Sequence, residues 1–486
     1  MFFSSPLFLA FFGTLFLVFY AIPVKWQSAF LVFCSLIYCS FFGAANLLIV
    51  ACITAASFFV SRKIAASTRE RARKMWLRLG VAVLVLTLAF FKYANIVAAE
   101  LQGPLAETVV GILPGLKSLS APVGISFYTL QALAYIIDVY RRNHQADDNP
   151  THYTFFICFF PQIVAGPIER YHRIRSQLDV AKKFNYQPVT MGLRLFLYGL
   201  FKKIVVADNL AAFTNPIYGN LQEQTSLAIF IAVVLFSFQL YFDFSGYSDM
   251  ARGVARMLGF DLMRNFDYPF NSTSVTEFWR RWHISLSSWL NDYIFQPLMI
   301  ALRNKNKAGI IVSLFITFLV SGIWHGSTWN FVIFGMLHGL LCSYEFLTRK
   351  KRKRLFNALP SLLRKPVGIM LTFGFLNFTW IFFRVGSVAE AVYILQRMTG
   401  VFYDLAAYLT AGKTIFDGNM SSLNIFFCFL FVFIGLLLDQ IDRRYDLLAC
   451  LNQMKVPVRW FAYFSMCLCI MLFSSPQVYS FVYFQF

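Results

Sequence analysis

Long hydrophobic runs alternate with short polar or basic segments along almost the whole chain. A helix that crosses a bilayer needs about 20 predominantly apolar residues, and a run much shorter than that is more typical of a re-entrant or interfacial segment. Ten runs approach the spanning length, at about 7–20, 26–42, 46–60, 79–93, 122–140, 191–206, 227–244, 367–383, 423–438 and 461–473. The pattern predicts an all-α polytopic membrane protein.

Other segments fit this pattern less simply. The apolar run that starts at Phe155 is short and is interrupted by Pro161, Gly166 and Pro167, so we expect a re-entrant or interfacial segment there. The segment 385–421 contains AEAVYILQRM, which is typical of an amphipathic helix lying on the outer membrane surface. No repeat or soluble region interrupts the series. We therefore expect one membrane domain, residues 1–486, with about ten to twelve transmembrane or re-entrant helices.

Composition supports a membrane protein rather than a soluble one. The 486 residues are 58% hydrophobic and only 14% charged, whereas soluble domains average about 25% charged residues. The net charge of +20 could indicate a nucleic-acid partner, but the basic residues cluster in short segments between apolar runs. That distribution marks cytoplasmic loops. We expect the segments 61–78 and 348–354 to be cytoplasmic loops, and no nucleic-acid partner.

Counting spans outward from these two basic segments places both termini on the outer face of the membrane. The first apolar run lacks a charged n-region and an A-x-A cleavage site, so we expect it to be retained as a span rather than removed as a signal peptide.

Two of the six histidines lie in the central stretch 275–329, each directly after a tryptophan. An imidazole is disfavoured against lipid, so His325, in GIWHGSTW, must face the protein interior or a water-filled cavity. Its ordinary pKa near 6.5 suits a general base that acts on a hydroxyl, and the alternative is a structural histidine bonded across helices. Gly322, Gly326 and Gly335 would permit close approach of a backbone or a substrate.

His283 lies in EFWRRWHISLSSWL, which has the composition of an interfacial amphipathic helix. On a continuous helix Trp279, His283 and Leu286 would share one face. The alternative to a role in the site is a membrane-surface anchor. His338 ranks lowest of the three histidines, as a packing residue, and without a supporting carboxylate motif we expect no metal site.

Carboxylates also lie near membrane depth, in QLYFDFSGYSDMARG. Asp243 and Asp249 would be costly there unless paired or functional. We favour a capping and hydrogen-bonding cluster at a helix end.

Four pieces, in this order, resemble the membrane-bound O-acyltransferase (MBOAT) family: FFPQIVAGPIER, QLYFDFSGYSDMARG, TEFWRRWHISLSSWLNDYIFQPL and SGIWHGSTWNFVIFGMLHG. The resemblance is to the bacterial branch that acylates exported polymers and covers nearly the whole chain. It implies helices ringed around a central funnel, with 275–329 as the catalytic core. It also implies that His325 occupies the family's catalytic position and His283 its second, more variable histidine position.

The tail 475–486 ends in FVYFQF, which resembles the F-x-Y-x-x-F motif of the small partner protein in teichoic-acid D-alanylation. By that resemblance Tyr483 would carry an acyl group as an ester, which is covalent catalysis. The alternative is an aromatic tail resting at the lipid headgroups.

Together, the residues and the resemblance predict an O-acyltransferase of the bacterial inner membrane. Acetyl-CoA would be the cytoplasmic donor, and the basic segments would attract its phosphates. The partner would be a periplasmic polysaccharide O-acetyltransferase that modifies a peptidoglycan-like or alginate-like polymer. The alternatives are D-alanyl transfer to a teichoic acid-type polymer, against which the fused tail weighs, and a transporter whose buried polar residues line a permeation path.

Overall fold

The computed structural model describes residues 1–100, 121–411, 422–474 and 479–482, and within these ranges the chain is helical without a β-strand. The first half forms α1 Pro6–Ala21, α2 Val24–Ser40, α3 Ala44–Ala66, α4 Glu70–Glu100, α5 Ile125–Arg141, α6 Pro150–Cys158, α7 Phe160–Ile163, α8 Tyr171–Leu178, α9 Tyr186–Phe201, α10 Asp208–Gly219 and α11 Ser226–Met257. The second half forms α12 Val275–Arg281, α13 Ile284–Leu290, α14 Gln296–Ala301, α15 Asn306–His325, α16 Trp329–Ala358, α17 Ser361–Arg384, α18 Val388–Arg397, α19 Val401–Ala411, α20 Ser422–Tyr445, α21 Leu447–Gln453 and α22 Val456–Leu472.

By length and composition, seven of these described helices could cross a membrane, and α1, α2 and α22 are shorter apolar helices. Each apolar run expected to span is mainly helical, so the all-α polytopic fold is confirmed. The short run from Phe155 forms only the nine-residue α6 and the four-residue α7, as its prolines and glycine predict.

The basic segments are not loops, contrary to our expectation. Helix α3 continues to Ala66 and α4 begins at Glu70, so only three residues separate them. Likewise α16 continues through the basic run 348–354 to Ala358. Arg, Lys, Glu and Ala all have high helix propensity, so a spanning helix can continue into its basic flank. The charges still cluster at one end of each helix.

The chain divides into two compact units. One contains Met1–Phe196 and Met250–Met263, and the other contains Leu197–Asp249 and Arg264–Phe486. The single-domain organisation stays a prediction. His283, His325 and His338 all belong to the second unit, which is described below.

Glycines let α15 and α16 pack as a close antiparallel hairpin. A Cβ on Gly322 would lie 2.2 Å from the carbonyl oxygen of Phe331, and one on Gly335 would lie 2.5 Å from that of Phe318. Gly339 meets Phe315 further along the same hairpin. The close backbone approach expected at Gly322 and Gly335 is therefore present, and it fixes the position of His325 at the end of α15.

Candidate active site

The helix expected through His283 is broken at that residue. His283 has a left-handed backbone, with φ 44° and ψ 54°, between the end of α12 and the start of α13. Asn265 holds this break: its carbonyl accepts the N–H of Ile284, and its Oδ1 accepts the hydroxyl of Ser285 at 2.6 Å. Because Asn265 supplies acceptors to the first turn of α13, the chain can turn here without leaving those donors unsatisfied.

His283 is buried within the protein. Its side chain is 0% exposed, and the ring of Phe244 meets it edge-on with 4.7 Å between centroids. Burial lowers the pKa of His283 to about 3, which keeps the imidazole neutral. Trp279 and Leu286 are also buried, although the helical face proposed for them is interrupted.

His325 is the last residue of α15 and is 5% exposed. Aromatic rings surround it, with centroids 4.9 Å away at Trp324, 6.0 Å at Phe334 and 5.4 Å at Phe383. The C-terminal end of a helix carries partial negative charge, which stabilises a cationic side chain there. An imidazole at this position is therefore suited to take up a proton during a reaction.

The His283 and His325 rings both lie close to the indole of Trp324, so they belong to the same site. The Trp324 ring lies 4.9 Å from the His325 ring and 6.2 Å from the His283 ring. Among the described residues, the buried Ser321 hydroxyl and Asn330 Oδ1 have no hydrogen-bond partner. Ser321 stands one helical turn before His325, on the same face of α15. The Ser321 hydroxyl can hydrogen-bond a bound acyl group or acceptor.

His338 is structural. Its Nδ1 accepts the Trp279 indole N–H at 3.1 Å, so Nε2 carries the proton and donates to the Thr379 hydroxyl at 3.2 Å. Both ring nitrogens are used in joining α12, α16 and α17, as the packing interpretation requires.

The acidic cluster does not cap a helix end, because α11 continues through it to Met257. Gly246 lets α11 pack closely against another backbone: a Cβ there would lie 2.8 Å from the carbonyl oxygen of Gly199. The carboxylates are instead paired with two consecutive buried lysines. Lys202 lies 3.1 Å from Asp249, and Lys203 lies 2.7 Å from Asp243.

These lysines begin a π-helical segment, Lys202–Ala207, between α9 and α10. π-Helical segments are rare in proteins, and those that do occur often lie at functional sites. Each lysine contacts a second carboxylate, Asp439 at 3.2 Å for Lys202 and Asp208 at 2.8 Å for Lys203. These ion pairs offset the desolvation free energy of the buried charges, because an isolated buried charge is strongly unfavourable.

The described part of the tail, residues 479–482, is bound at this cluster. The Val482 N–H donates to Asp243 Oδ2 at 2.7 Å, and Lys203 Nζ donates to the Tyr479 carbonyl at 3.3 Å. Phe481 and Val482 are both 4% exposed. These two residues therefore lie inside the protein rather than on its surface.

Phe481 also connects the tail to the histidine site. Its ring lies 5.0 Å from that of Tyr247 and 5.6 Å from that of Phe244, and Phe244 in turn packs on His283. Tyr483 is the next residue after Val482 along the chain and lies outside the described residues.

Sequence reasoning missed Asn265 and the two lysines, and it did not anticipate that Trp324 contacts both histidine rings. The adjacent pair KK in the apolar run 191–206 was a usable signal, because charged residues within such a run are costly and usually paired or functional. Nothing in the sequence alone singles out Asn265.

Comparison with known proteins matches residues 141–385 to the family described as MBOAT, membrane-bound O-acyltransferase family. The Probable alginate O-acetylase AlgI of Pseudomonas aeruginosa is 36% identical over 409 residues, which cover 82% of this chain and 75% of that protein. The Peptidoglycan O-acetyltransferase of Helicobacter pylori is 32% identical over 82% of this chain and 80% of its own length. The Teichoic acid D-alanyltransferase of Bacillus subtilis is 31% identical over 54% of this chain and 68% of its own length.

Proposed function

Because this chain belongs to the membrane-bound O-acyltransferase family, and is thus a multi-pass membrane O-acyltransferase, we propose that it passes an acetyl group from a cytoplasmic donor to the outer face. There the group serves O-acetylation of a cell-wall or exported polysaccharide, through a periplasmic transferase. The alginate and peptidoglycan acetylating relatives align with 82% of the chain each, and the D-alanyltransferase with 54%. This difference favours acetyl over D-alanyl transfer.

The observation that carries the assignment of roles is the position of His325 at the C-terminal end of α15, in contact with the indole that also reaches His283. His325 removes the proton from the accepting hydroxyl as that hydroxyl attacks the thioester carbonyl. The proton then passes to the departing thiolate. The helix end stabilises the intermediate imidazolium.

His283 acts differently. Being fully buried with a strongly lowered pKa, it is a poor proton acceptor and instead positions or polarises the thioester as a neutral imidazole. The accepting hydroxyl is that of the polymer transferase or, in a relay, the phenol of Tyr483. The burial of Phe481 and Val482 supports the relay, because Phe481 packs on Phe244, which in turn contacts His283.

Acetyl-CoA added to oriented membrane vesicles tests the donor and the direction of transfer together. We expect acetyl label on the acceptor in inside-out vesicles, where the cytoplasmic face is accessible, and none in right-side-out vesicles, because CoA does not cross the bilayer. The His325→Ala protein provides the background. Labelling only in right-side-out vesicles would reverse the direction, and labelling with a D-alanyl thioester but not with acetyl-CoA would select the D-alanyl alternative.

Cysteine labelling of intact cells tests the orientation. The basic residues at the α3–α4 turn predict a cytoplasmic position for Arg71, and counting spans places Gln485 on the outer face. In a background without the nine natural cysteines, we expect an impermeant thiol reagent to label Gln485→Cys but not Arg71→Cys. Permeabilised cells, in which both positions should react, provide the control. The opposite labelling pattern in intact cells would overturn this topology.

A further inference from the structure

A cavity of about 850 Å³ opens between the short helices α12–α14 and the α15–α16 hairpin. One wall is apolar and is formed by Phe295, Met299, Ile310, Leu314, Phe318 and Phe346. Three arginines, Arg280, Arg349 and Arg352, also line the cavity. It therefore combines a long apolar surface with cationic groups.

A second cavity, of about 370 Å³, adjoins the first and is strongly basic. The two share Ser274, Arg349 and Arg352 as lining residues. The cations around the second cavity are Arg349, Arg352, Lys353, Arg364 and Lys365. No Asp or Glu occurs among its lining residues, all of which lie in the described part of the chain.

Most of this positive charge is not neutralised by the protein. Arg352 lies 3.2 Å from Glu345, whose carboxylate also accepts the N–H groups of Val275 and Thr276 at the start of α12. By contrast, across the described ranges no carboxylate lies within ion-pair distance of Arg349 or Lys353. Arg352 thus links α16 to the start of α12 through Glu345, while Arg349 and Lys353 are available to an anionic ligand.

Along the α15–α16 hairpin, the apolar wall of the first cavity leads toward the basic residues of the second. Because α15 and α16 are antiparallel, with Gly339 against Phe315, the apolar residues from Phe318 back to Ile310 lead toward the end of α16 that carries Arg349. At 1.5 Å per residue this part of α15 is about 12 Å long. A ligand must place its charge at the basic end and an apolar chain along the wall.

We propose that an anionic phospholipid occupies the two cavities, with its phosphate among Arg349, Lys353 and Lys365 and an acyl chain along Ile310, Leu314 and Phe318. Each cation near a membrane surface strengthens the binding of an anionic lipid about fivefold. The acyl chain covers this apolar wall. The lipid would brace α16 against α12, the helix that carries Trp279 and ends beside His283.

A lipid fits the cavities better than the other phosphate-bearing ligands do. A CoA thioester would lay its pantetheine arm, which carries two amides, along the apolar wall formed by Ile310, Leu314 and Phe318, and burying an amide without a hydrogen bond is costly. Free phosphate would use the basic cavity but leave the apolar wall uncovered.

The basic run of α16 supplies a matched pair of variants. Arg349 and Lys353 line the basic cavity, whereas Lys350 and Lys351, on the same helix, line neither cavity and are exposed. The double variants Arg349→Gln/Lys353→Gln and Lys350→Gln/Lys351→Gln therefore remove the same charge from the same helix. Arg352 stays unchanged in both because it is paired with Glu345.

Native mass spectrometry of the purified full chain, with added phosphatidylglycerol in a phosphatidylcholine background, measures lipid retention. We expect retention of phosphatidylglycerol by the wild-type protein and by the Lys350→Gln/Lys351→Gln variant. The Arg349→Gln/Lys353→Gln variant should bind it at least about tenfold more weakly. Free phosphate and CoA should not displace the lipid.

Three results would overturn the proposal. Equal weakening in both double variants would mean diffuse attraction to basic residues without a site. Displacement of the lipid by CoA would assign the cavities to the acyl donor. Equal retention of phosphatidylcholine and phosphatidylglycerol by the wild-type protein would show that the cations do not select the ligand.

Discussion

Replacing His325 with alanine is expected to lower acyl transfer by about 100- to 10,000-fold while the protein still inserts and accumulates, because a general base contributes about that much to a rate. The imidazole stands at the C-terminal end of α15 among Trp324, Phe334 and Phe383. Alanine keeps the helix and removes the proton acceptor. The measurement is turnover of labelled acetyl-CoA by purified protein, with size-exclusion chromatography as the check on folding.

Two other histidines in the same unit provide matched controls. His338→Ala breaks hydrogen bonds to Trp279 and Thr379, so it should lower thermal stability more than turnover per folded molecule. His283→Ala should lower turnover less than His325→Ala, because a neutral imidazole that only polarises the thioester is easier to replace. A folded His325→Ala protein with wild-type turnover would remove His325 from the mechanism, and a larger loss at His283 would reverse the two roles.

Most of the long helices followed from the lengths of the apolar runs, because lipid leaves a spanning segment few alternatives to a helix. The errors concern where helices end. Basic flanks, such as residues 348–354 of α16, were taken for loops because charge indicated the membrane boundary but not the end of the helix. Similarly α11 continues past Asp243, because a tertiary partner, Lys203, supports carboxylates inside a helix.

The candidate site, likewise, could be predicted from the sequence only in part. The positions of His283 and His325 beside tryptophans indicated a buried reaction centre, and the structure brings both rings to Trp324. The break at His283 could not be predicted, since it depends on Asn265, which precedes it in the chain and caps α13. Contacts between distant residues leave no local pattern, so they become visible only in the folded chain.

Replacing Tyr483 with phenylalanine should abolish polymer acylation while leaving the protein stable and inserted. The change removes one hydroxyl and keeps the ring, so packing should survive. The bound segment 479–482 is unaltered by this substitution, and its hold on Asp243 and Lys203 uses backbone atoms of Val482 and Tyr479. A relay therefore predicts near-complete loss of acylation, whereas a tail that only anchors predicts normal activity.

The chemistry of the relay suits a phenol. In the proposed relay the Tyr483 oxygen would attack the thioester carbonyl, lose its proton to His325 and form an aryl ester, and His325 would return the proton to the departing thiolate. An aryl ester passes its acyl group on more readily than an alkyl ester, because a phenolate is a better leaving group than an alkoxide. The final described residue of the tail, Val482, is buried beside the cluster that leads through Phe481 and Phe244 to His283.

Tyr479→Phe is the matched control, since it removes the same hydroxyl from the same tail four residues earlier and keeps the backbone carbonyl that Lys203 contacts. Mass spectrometry of the C-terminal peptide, from cells that lack the downstream transferase, should show an acetyl mass on Tyr483 in the wild-type and Tyr479→Phe proteins. That mass should disappear in His325→Ala, because the base is needed to form the ester. An unmodified peptide together with an active Tyr483→Phe enzyme would refute the relay and leave direct transfer from the histidine site to the periplasmic acceptor.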